Sequence, residues 1–451
     1  MQKRGGLIAP EIQAILEAKD RTQRIKDFFA GMHRYDIFVL CEELEDFQIA
    51  EVIKALGIPM GIELFEEFTD DRKKTIFECF NKEWMAEILE EMAPDERADF
   101  LKYLPEAKTE EILPLVARAE RLDIKKLMNY EEGTAGSILT TDYAYLPPNV
   151  TVRAAIEKIK LQAVDRETIY YIYVIDENRK LLGLVSLRDL MVAPSHKMIE
   201  EIMKTNIVSV KVNDDREVVA NILNDYDFLA VPVVDDQERL VGIVTVDDVM
   251  DVIEEEATED IYKLGAAGEY IDYMSSSPFL LARKRTSWLV LLVFVGFISA
   301  YVLRYHSGIL KKIVALSFFM PFLLGSSGNA GTQSSTTVIR GLATKDIYIK
   351  DILKVIRKEV SIGLIVGSTM ASLGALMAIL LQKNVLVGAT VGASMVMTVT
   401  LATFLGATLP ILFKKLKLDP ALMSGPFITS IVDIMSLLIY FKMATIMMRF
   451  L

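Results

Sequence analysis

Two stretches of the sequence match one another without gaps: YVIDENRKLLGLVSLRDLM (173–191) and PVVDDQERLVGIVTVDDVM (232–250). Each is typical of a strand, an Asp-rich turn, a second strand and a helix. Gly183 and Gly242 occupy equivalent positions in the two copies. Repetition of one such unit predicts two copies of a small α/β domain.

Both copies also keep a step from strand to helix in which Ser or Thr precedes Asp by three residues: Ser186 and Asp189, then Thr245 and Asp248. The pattern resembles a tandem pair of CBS domains, a module that senses adenosine nucleotides and ions. In a nucleotide site the two carboxylates could accept ribose hydroxyls, and the two hydroxyls could reach phosphate. Alternatively, the same residues are ordinary helix caps, or Asp248 binds Mg2+.

The residues before the repeat read as short amphipathic helices. EWMAEILEEM (83–92), PDERADFLKYL (94–104) and EAKTEEILPLVARA (106–119) each place apolar residues at helical spacing, with Pro94 and Pro105 at the turns. Serial units of this kind predict an all-α superhelical domain, with a simple helical bundle as the alternative.

Charge is distributed unevenly along the chain. The net charge is −12, yet residues 286–451 carry 15 Lys and Arg against 5 Asp and Glu. The acidic remainder repels nucleic acid, which excludes a nucleic-acid partner, and it attracts cations. Cys41 and Cys79 are expected to be free thiols. No nucleophile–base set, P-loop or metalloprotease motif indicates an enzyme.

The final third is apolar enough to enter a membrane. Five stretches are long enough for spans, near 287–303, 312–338, 358–382, 385–413 and 421–448. Basic clusters at 282–285, 340–358 and 414–417 would all face the cytosol if the N-terminus is cytoplasmic and the C-terminus outside. We therefore predict a multi-pass protein of the cell (inner) membrane, in contact with lipid, with five transmembrane helices.

Polar groups interrupt two of these spans. The second contains PFLLGSSGNAGTQSSTT (321–337), whose glycines and proline predict a weakened or broken helix lining a pore or site. The alternative is a packing seam of small residues. The fifth contains Asp433, and a carboxylate at membrane depth favours a functional role.

One carboxylate is a poor cage for a divalent cation, and Mg2+ holds its water tightly. A symmetric dimer would bring two Asp433 side chains to one axis, where they could attract a largely hydrated ion. Backbone carbonyls and the Asn329 side chain could contact its outer waters.

Carboxylates also cluster where the second CBS domain leads towards the membrane. Repulsion between such faces, relieved by bound Mg2+, would make a two-state sensor, while the alternative is a solvated acidic face. The candidate metal ligands are Asp248, Asp251, Glu255, Glu256, Glu259 and Asp260, with Asp95 and Asp99 in the helical domain.

The order of these parts resembles the MgtE family of magnesium channels. Its signature P-x-x-x-G-x-x-G-N-x-G-x-Q is matched by Pro321, Gly325, Gly328, Asn329, Gly331 and Gln333. YEEGTAGSI (130–138) and VDDVMDVIEEEATEDIYKLG (246–265) are similar to the family's entry into and exit from the CBS pair. The resemblance implies a homodimer whose pore carboxylate is Asp433, whose cytosolic domains bind Mg2+ and close the pore, and whose response ATP tunes in some members.

The predicted plan is mixed in fold class. Its domains are a helical N domain (1–135), CBS domains (136–197 and 198–252), a connecting or plug helix (253–285) and a five-helix pore domain (286–451). The predicted function is Mg2+ import gated closed by Mg2+, with ATP as a further ligand. Two alternatives stay open: a transporter of another divalent cation such as Co2+ or Mn2+, and a membrane sensor without transport.

Overall fold

The computed structural model describes residues 12–18, 20–163, 166–268, 271, 273, 276–423, 425–447 and 449. The chain divides into two compact units, one up to Ile253 and one from Glu254.

Short helices build the first part of the N-terminal unit. They are α1 (Arg21–Phe29), α2 (Arg34–Cys41), α3 (Asp46–Leu56), α4 (Met60–Glu66), α5 (Asp70–Glu78), α6 (Lys82–Glu91), α7 (Pro94–Tyr103), α8 (Glu106–Ile112) and α9 (Arg118–Leu127). In the core of these helices, Phe100 is contacted edge to face by Phe65 and by Phe77, with ring centres 5.6 and 5.0 Å apart. The helical N domain is confirmed, and its superhelical course stays a prediction.

Helix starts and ends follow local chemistry. Asn81 caps α6 by accepting a hydrogen bond from the Trp84 amide at 3.0 Å. Pro94 lies in the first turn of α7, where its missing N–H costs nothing. The third predicted stretch is shorter than expected, because a 3-10 turn at Leu113–Leu115 containing Pro114 follows α8.

Two three-stranded sheets follow, one for each repeat. The first holds β1 (Tyr143–Leu146), β2 (Thr168–Ile175) and β3 (Leu181–Ser186), and the second holds β4 (Val210–Lys211), β5 (Ala230–Val234) and β6 (Leu240–Thr245). In each sheet the first pair is parallel and the second antiparallel. The helices between them are α10 (Val152–Gln162), α11 (Leu187–Val192), α12 (Ile199–Ile202) and α13 (Arg216–Tyr226).

The registers of the two sheets reproduce the sequence repeat. Val174 pairs with Gly183 in the first sheet, as Val233 pairs with Gly242 in the second. A side chain at Gly242 would place its Cβ 2.6 Å from the Thr140 carbonyl oxygen, so the glycine permits a close backbone approach.

The two copies also bond to each other reciprocally. The Leu181 amide donates to the Glu238 carbonyl at 3.1 Å, and the Leu240 amide donates to the Arg179 carbonyl at 2.9 Å. Tyr173 and Ile243, from opposite sheets, lie in one buried cluster. The tandem CBS prediction is thereby matched in detail by the sheets.

Helix α14 (Val246–Leu264) begins immediately after β6 and is continuous over 19 residues. This helix therefore starts earlier than the connecting helix predicted over 253–285, inside the CBS exit, and its connecting role stays a prediction. It also ends earlier, at Leu264, and the basic residues 282–285 belong to the next helix.

The C-terminal unit is helical. Its helices are α15 (Pro278–Tyr305), α16 (Ser307–Lys312), α17 (Met320–Ala343), α18 (Ile352–Gln382), α19 (Val385–Lys415) and α20 (Gly425–Met447). Within the described residues, four helical segments are long and apolar enough to cross a membrane: Pro278–Tyr305, Ile349–Gln382, Val385–Lys415 and Gly425–Met447. Helix α17 is too polar to join them on composition, so the fifth span stays a prediction.

Candidate functional site

The predicted break in the second span is wrong. Helix α17 runs without interruption from Met320 to Ala343. Pro321 lies in its first turn, where it removes no helical hydrogen bond. Gly328 and Gly331 are accommodated because neighbouring helices pack against them.

Two signature glycines are contact points for other helices. A Cβ on Gly328 would lie 2.8 Å from Thr429 Cγ2, and one on Gly331 would lie 3.1 Å from Ile428 Cγ2, both on α20. Gly331 also meets α19, since its carbonyl lies against Gly406. These contacts match the alternative interpretation, a seam of small residues, for this side of α17.

The other signature residues lie on a different face. Pro321, Gly325, Asn329 and Gln333 follow one another at four-residue intervals and are all exposed. Residues at that spacing share one side of a helix. We call this row the polar stripe of α17. Among the described residues, no atom outside the local helix backbone lies within 4 Å of where a Gly325 Cβ would be.

Asp433 lies on α20, one residue after Val432, whose side chain packs on Gly331. The carboxylate is half-buried, and its Oδ1 atom is buried without a hydrogen-bond donor among the described residues. An unsatisfied buried carboxylate oxygen is costly and marks a candidate ion-binding group.

Hydroxyl groups on both helices fix α17 against α20. Ser436 Oγ donates to Ser327 Oγ at 3.0 Å, and both side chains are buried. Thr332 and Thr429 hydroxyls lie 3.2 Å apart. Ser327, at a variable position of the signature, thus takes part in packing, and these bonds set where Asp433 lies.

A second candidate site lies in the N-terminal unit, where α7 approaches the second CBS repeat. Arg97, 1% exposed, anchors α7 by donating to the Leu89 carbonyl and pairing with Glu120, both at 3.0 Å. Two neighbouring carboxylates have lysine partners: Glu96 with Lys73 at 2.7 Å, and Asp99 with Lys102 at 3.1 Å.

Asp95 differs, because its neighbours are acidic. Its Oδ1 atom is buried and has no donor among the described residues. Burial, and then the carboxylates of Asp248 and Glu167, raise the pKa of Asp95 well above its ordinary value. Burial likewise raises the pKa of Asp248 to about 6. We call Asp95, Glu167 and Asp248 the carboxylate cluster.

Glu167 is the member of the cluster that the sequence analysis missed. It precedes β2 and keeps part of its side chain in solvent. Partial burial, with Asp248 and Asp247 nearby, raises its pKa to about 7. No local pattern could have identified it, since a single acidic residue before a strand is common and its partners are distant in sequence.

The remaining predicted metal ligands lie along α14. Asp251 and Glu255 are exposed. Lys263 bonds Glu259 at 2.6 Å and Asp419 at 2.7 Å, and burial, then Asp419, raises the pKa of Asp260. Glu256 is half-buried near Asp260. Lys263 and Asp419, which no sequence pattern indicated, tie the end of α14 to the turn before α20.

No group of three or more His, Cys, Asp or Glu side chains is close enough to hold a metal ion within the described part of the chain. The predicted ligands Asp95, Asp99, Asp248, Asp251, Glu255, Glu256, Glu259, Asp260 and Asp433 stay predictions.

The predicted nucleotide residues adopt cap geometry. Ser186 Oγ accepts from the Asp189 amide at 3.0 Å, and Asp189 lies 3.8 Å from Lys204 Nζ. Thr245 donates its hydroxyl and its amide to Asp248 Oδ2. A nucleotide role for these four residues stays a prediction.

Comparison with known families assigns the parts. Residues 320–443 match the MgtE profile, described as a divalent cation transporter; 32–133 match the MgtE intracellular N domain; and 135–196 and 199–255 match CBS domains.

Curated relatives agree. The magnesium transporter MgtE of Bacillus subtilis is 42% identical over 71% of this chain and 71% of its own length. MgtE of Thermus thermophilus is 42% identical over 72% of this chain and 73% of its own. Relatives named as transporters confirm the prediction that the chain is not an enzyme.

Solved structures resemble the soluble part. The soluble part of a magnesium transporter is 34% identical, covers 56% of this chain and 100% of its own, and has a TM-score of 0.53. The cytosolic domain of the Mg2+ channel MgtE in complex with ATP is 35% identical, covers 54% and 99%, and scores 0.52. The chain is a membrane protein and belongs to the MgtE family of divalent cation transporters.

Proposed function

We propose that this protein is a magnesium channel that imports Mg2+ across the cell (inner) membrane, and that Mg2+ bound to its cytosolic surfaces closes it. The observation that carries the pore is the buried, unpaired Oδ1 of Asp433 on α20. The names of the 42% identical relatives support Mg2+ as the cargo.

The polar stripe of α17 supports a homodimer. Exposed Asn329 and Gln333 would be costly against lipid, so a second copy is needed to enclose them. Two stripes facing one axis would line a path, with Gly328 and Gly331 holding α17 close to α20. Two Asp433 carboxylates would then offset the charge of one hydrated Mg2+.

The positive-inside rule supports the orientation. Lys and Arg concentrate in the first turns of α15, around the turn between α17 and α18, and at the end of α19. With those ends in the cytosol, the N-terminus is cytoplasmic and the C-terminus lies outside.

The carboxylate cluster supports the closing mechanism. At neutral pH its ionised members repel one another, so α7 and the second CBS repeat are held together poorly without a cation. A bound Mg2+ would draw Asp95 towards Asp248 and Glu167. Because Asp248 lies in the first turn of α14 and Lys263 in its last, a single helix would carry that change towards Asp419 and α20.

ATP is a second proposed ligand, at the CBS pair. Support comes from the 35% identical cytosolic domain that was solved with ATP. The candidate contacts are Ser186, Asp189, Thr245 and Asp248.

A transporter of other divalent cations is the second candidate, since the family profile is described in that broader way. Oxygen ligands favour Mg2+ over softer ions such as Co2+. A membrane sensor without transport would leave Asp433 and the polar stripe unexplained.

The test is Mg2+ entry into liposomes containing the full chain, followed with an internal fluorescent indicator. We expect Asp433→Asn to reduce entry at least tenfold, since removing charge from the axis removes the attraction for the cation. Asp346→Asn, which removes an exposed carboxylate of the same unit, is the matched control. Wild-type entry by Asp433→Asn would refute the pore assignment, and parallel runs with Ca2+ and Co2+ measure selectivity.

A further inference from the structure

A cavity of about 350 Å³ lies where α17 and α19 end and α18 begins. Three lysines line it: Lys345, Lys350 and Lys414. The rest of the lining is largely apolar, formed by Leu342, Ile347, Tyr348 and Ile349. Lysines around an apolar floor form an amphipathic surface.

The turn that forms the cavity is held in place. The Ile347 amide donates to the Gly341 carbonyl at 2.8 Å, and a Cβ on Gly341 would lie 2.6 Å from Ile347 Cδ1. Lys345 has a φ of 61°, which reverses the chain after α17. Lys414 Nζ donates to the Leu342 carbonyl at 2.8 Å, so the last turns of α17 and α19 are joined.

Two carboxylates that are close in sequence to the cavity are not part of its lining. Lys350 Nζ lies 4.8 Å from the ring centre of Tyr348. Asp346 accepts the Thr344 hydroxyl at 2.7 Å, and Asp351 bonds Lys354 at 3.2 Å. Neither carboxylate lines the cavity.

We propose that this cavity binds the headgroup of an anionic phospholipid. The phosphate would lie among the three lysines, and the glycerol and first acyl carbons would cover Tyr348 and Ile349, which are 50% and 39% exposed. Basic pockets at the ends of membrane helices suit anionic headgroups. A free phosphate would leave the apolar part of the cavity in water, which favours the lipid.

This inference depends on membrane placement and not on transport. A lipid bound here would bridge α17, α19 and the start of α18. It would therefore stabilise the end of α17, the helix that carries the polar stripe.

The experiment uses the full chain in detergent and counts bound lipids by native mass spectrometry. Equal amounts of phosphatidylglycerol and phosphatidylcholine are offered. We expect preferential binding of phosphatidylglycerol, weakened about fivefold by Lys350→Gln, since a lysine near a membrane surface contributes about 1 kcal/mol. Lys350 is chosen because Lys414 also caps α17.

Lys415→Gln is the matched control, because it removes one exposed charge from the same helix end without lining the cavity. Equal weakening by both variants would mean diffuse attraction and would overturn the site. Displacement of phosphatidylglycerol by inorganic phosphate at equal concentration would show a free-phosphate site instead. Equal binding of the two lipids would also overturn the proposal.

Discussion

The two CBS repeats share one fold and one strand-to-helix step, yet their surroundings differ. Asp189, in the first repeat, is partly exposed, and its Oδ2 atom lies 3.8 Å from Lys204 Nζ. Asp248, in the second, is drawn into the carboxylate cluster with Asp95 and Glu167. A repeated local sequence therefore carries two different chemical environments, and the helical N domain makes the difference.

The largest effect expected from this asymmetry concerns Mg2+. In hydrogen–deuterium exchange of the full chain at pH 7.5, Mg2+ should protect α7 and the start of α14. In Asp248→Asn these two segments should already be protected without Mg2+. Adding Mg2+ should change their exchange little, because the amide removes both the charge repulsion and the metal ligand. Asp189→Asn should respond as the wild type does; a matching loss in both variants would mean the repeats are equivalent.

The next effect concerns ATP. If the first repeat is the freer site, Asp189→Ala should weaken ATP binding about tenfold or more in calorimetry, as loss of a charged hydrogen-bond acceptor does. Thr245→Val, at the candidate contact in the second repeat, should weaken ATP binding less, because the Thr245 hydroxyl is already bonded to Asp248. A larger loss from Thr245→Val than from Asp189→Ala would reverse the assignment.

A smaller effect concerns pH. Folding raises the pKa values of the cluster carboxyls, to about 6 for Asp248 and about 7 for Glu167. The folded state therefore binds more protons than the unfolded state between about pH 4 and 7. Without Mg2+, stability should therefore fall as pH rises through that window and level off above it.

For Asp248 the decrease should be roughly 1–2 kcal/mol, after allowance for its partial exposure. Thermal unfolding of the N-terminal unit within the full chain at pH 5.5 and 7.5 measures it. Asp248→Asn should flatten the profile and Asp189→Asn should not; a profile that rises with pH would contradict the sign.

The smallest effect concerns the caps. Ser186→Ala removes a helix N-cap, which should lower the free energy of unfolding by about 0.5–1 kcal/mol. Thr245→Val removes the hydroxyl that bonds Asp248 and should cost somewhat more, about 1–2 kcal/mol, because that position is 4% exposed. Melting temperatures compare them, and a costlier Ser186→Ala would count against a special second repeat.

Much of the fold was predictable from the sequence because its signals are local. The gap-free repeat predicts the antiparallel strand pair of each sheet, and apolar spacing predicts α6, α7 and the long C-terminal helices. The break expected near Pro321 was wrong, because proline in a first turn and glycines under neighbouring helices are compatible with a straight helix.

The sites were only partly predictable. Asp433 and Asp248 stood out by residue type and position, but Glu167, Asp419, Lys263 and Ser436 did not. Each of these four acts through a residue far away in the chain, and no spacing rule describes such a contact.

By itself the sequence determined the repeated α/β unit, the apolar helices, the division of charge and the lone acid in the last helix. These follow from periodicity, composition and the cost of placing a charge among apolar residues. Only the tertiary structure decided which carboxylates lie next to a lysine and which side of α17 packs against other helices. Burial and long-range charge depend on what the folded chain brings together, and the local sequence does not record that.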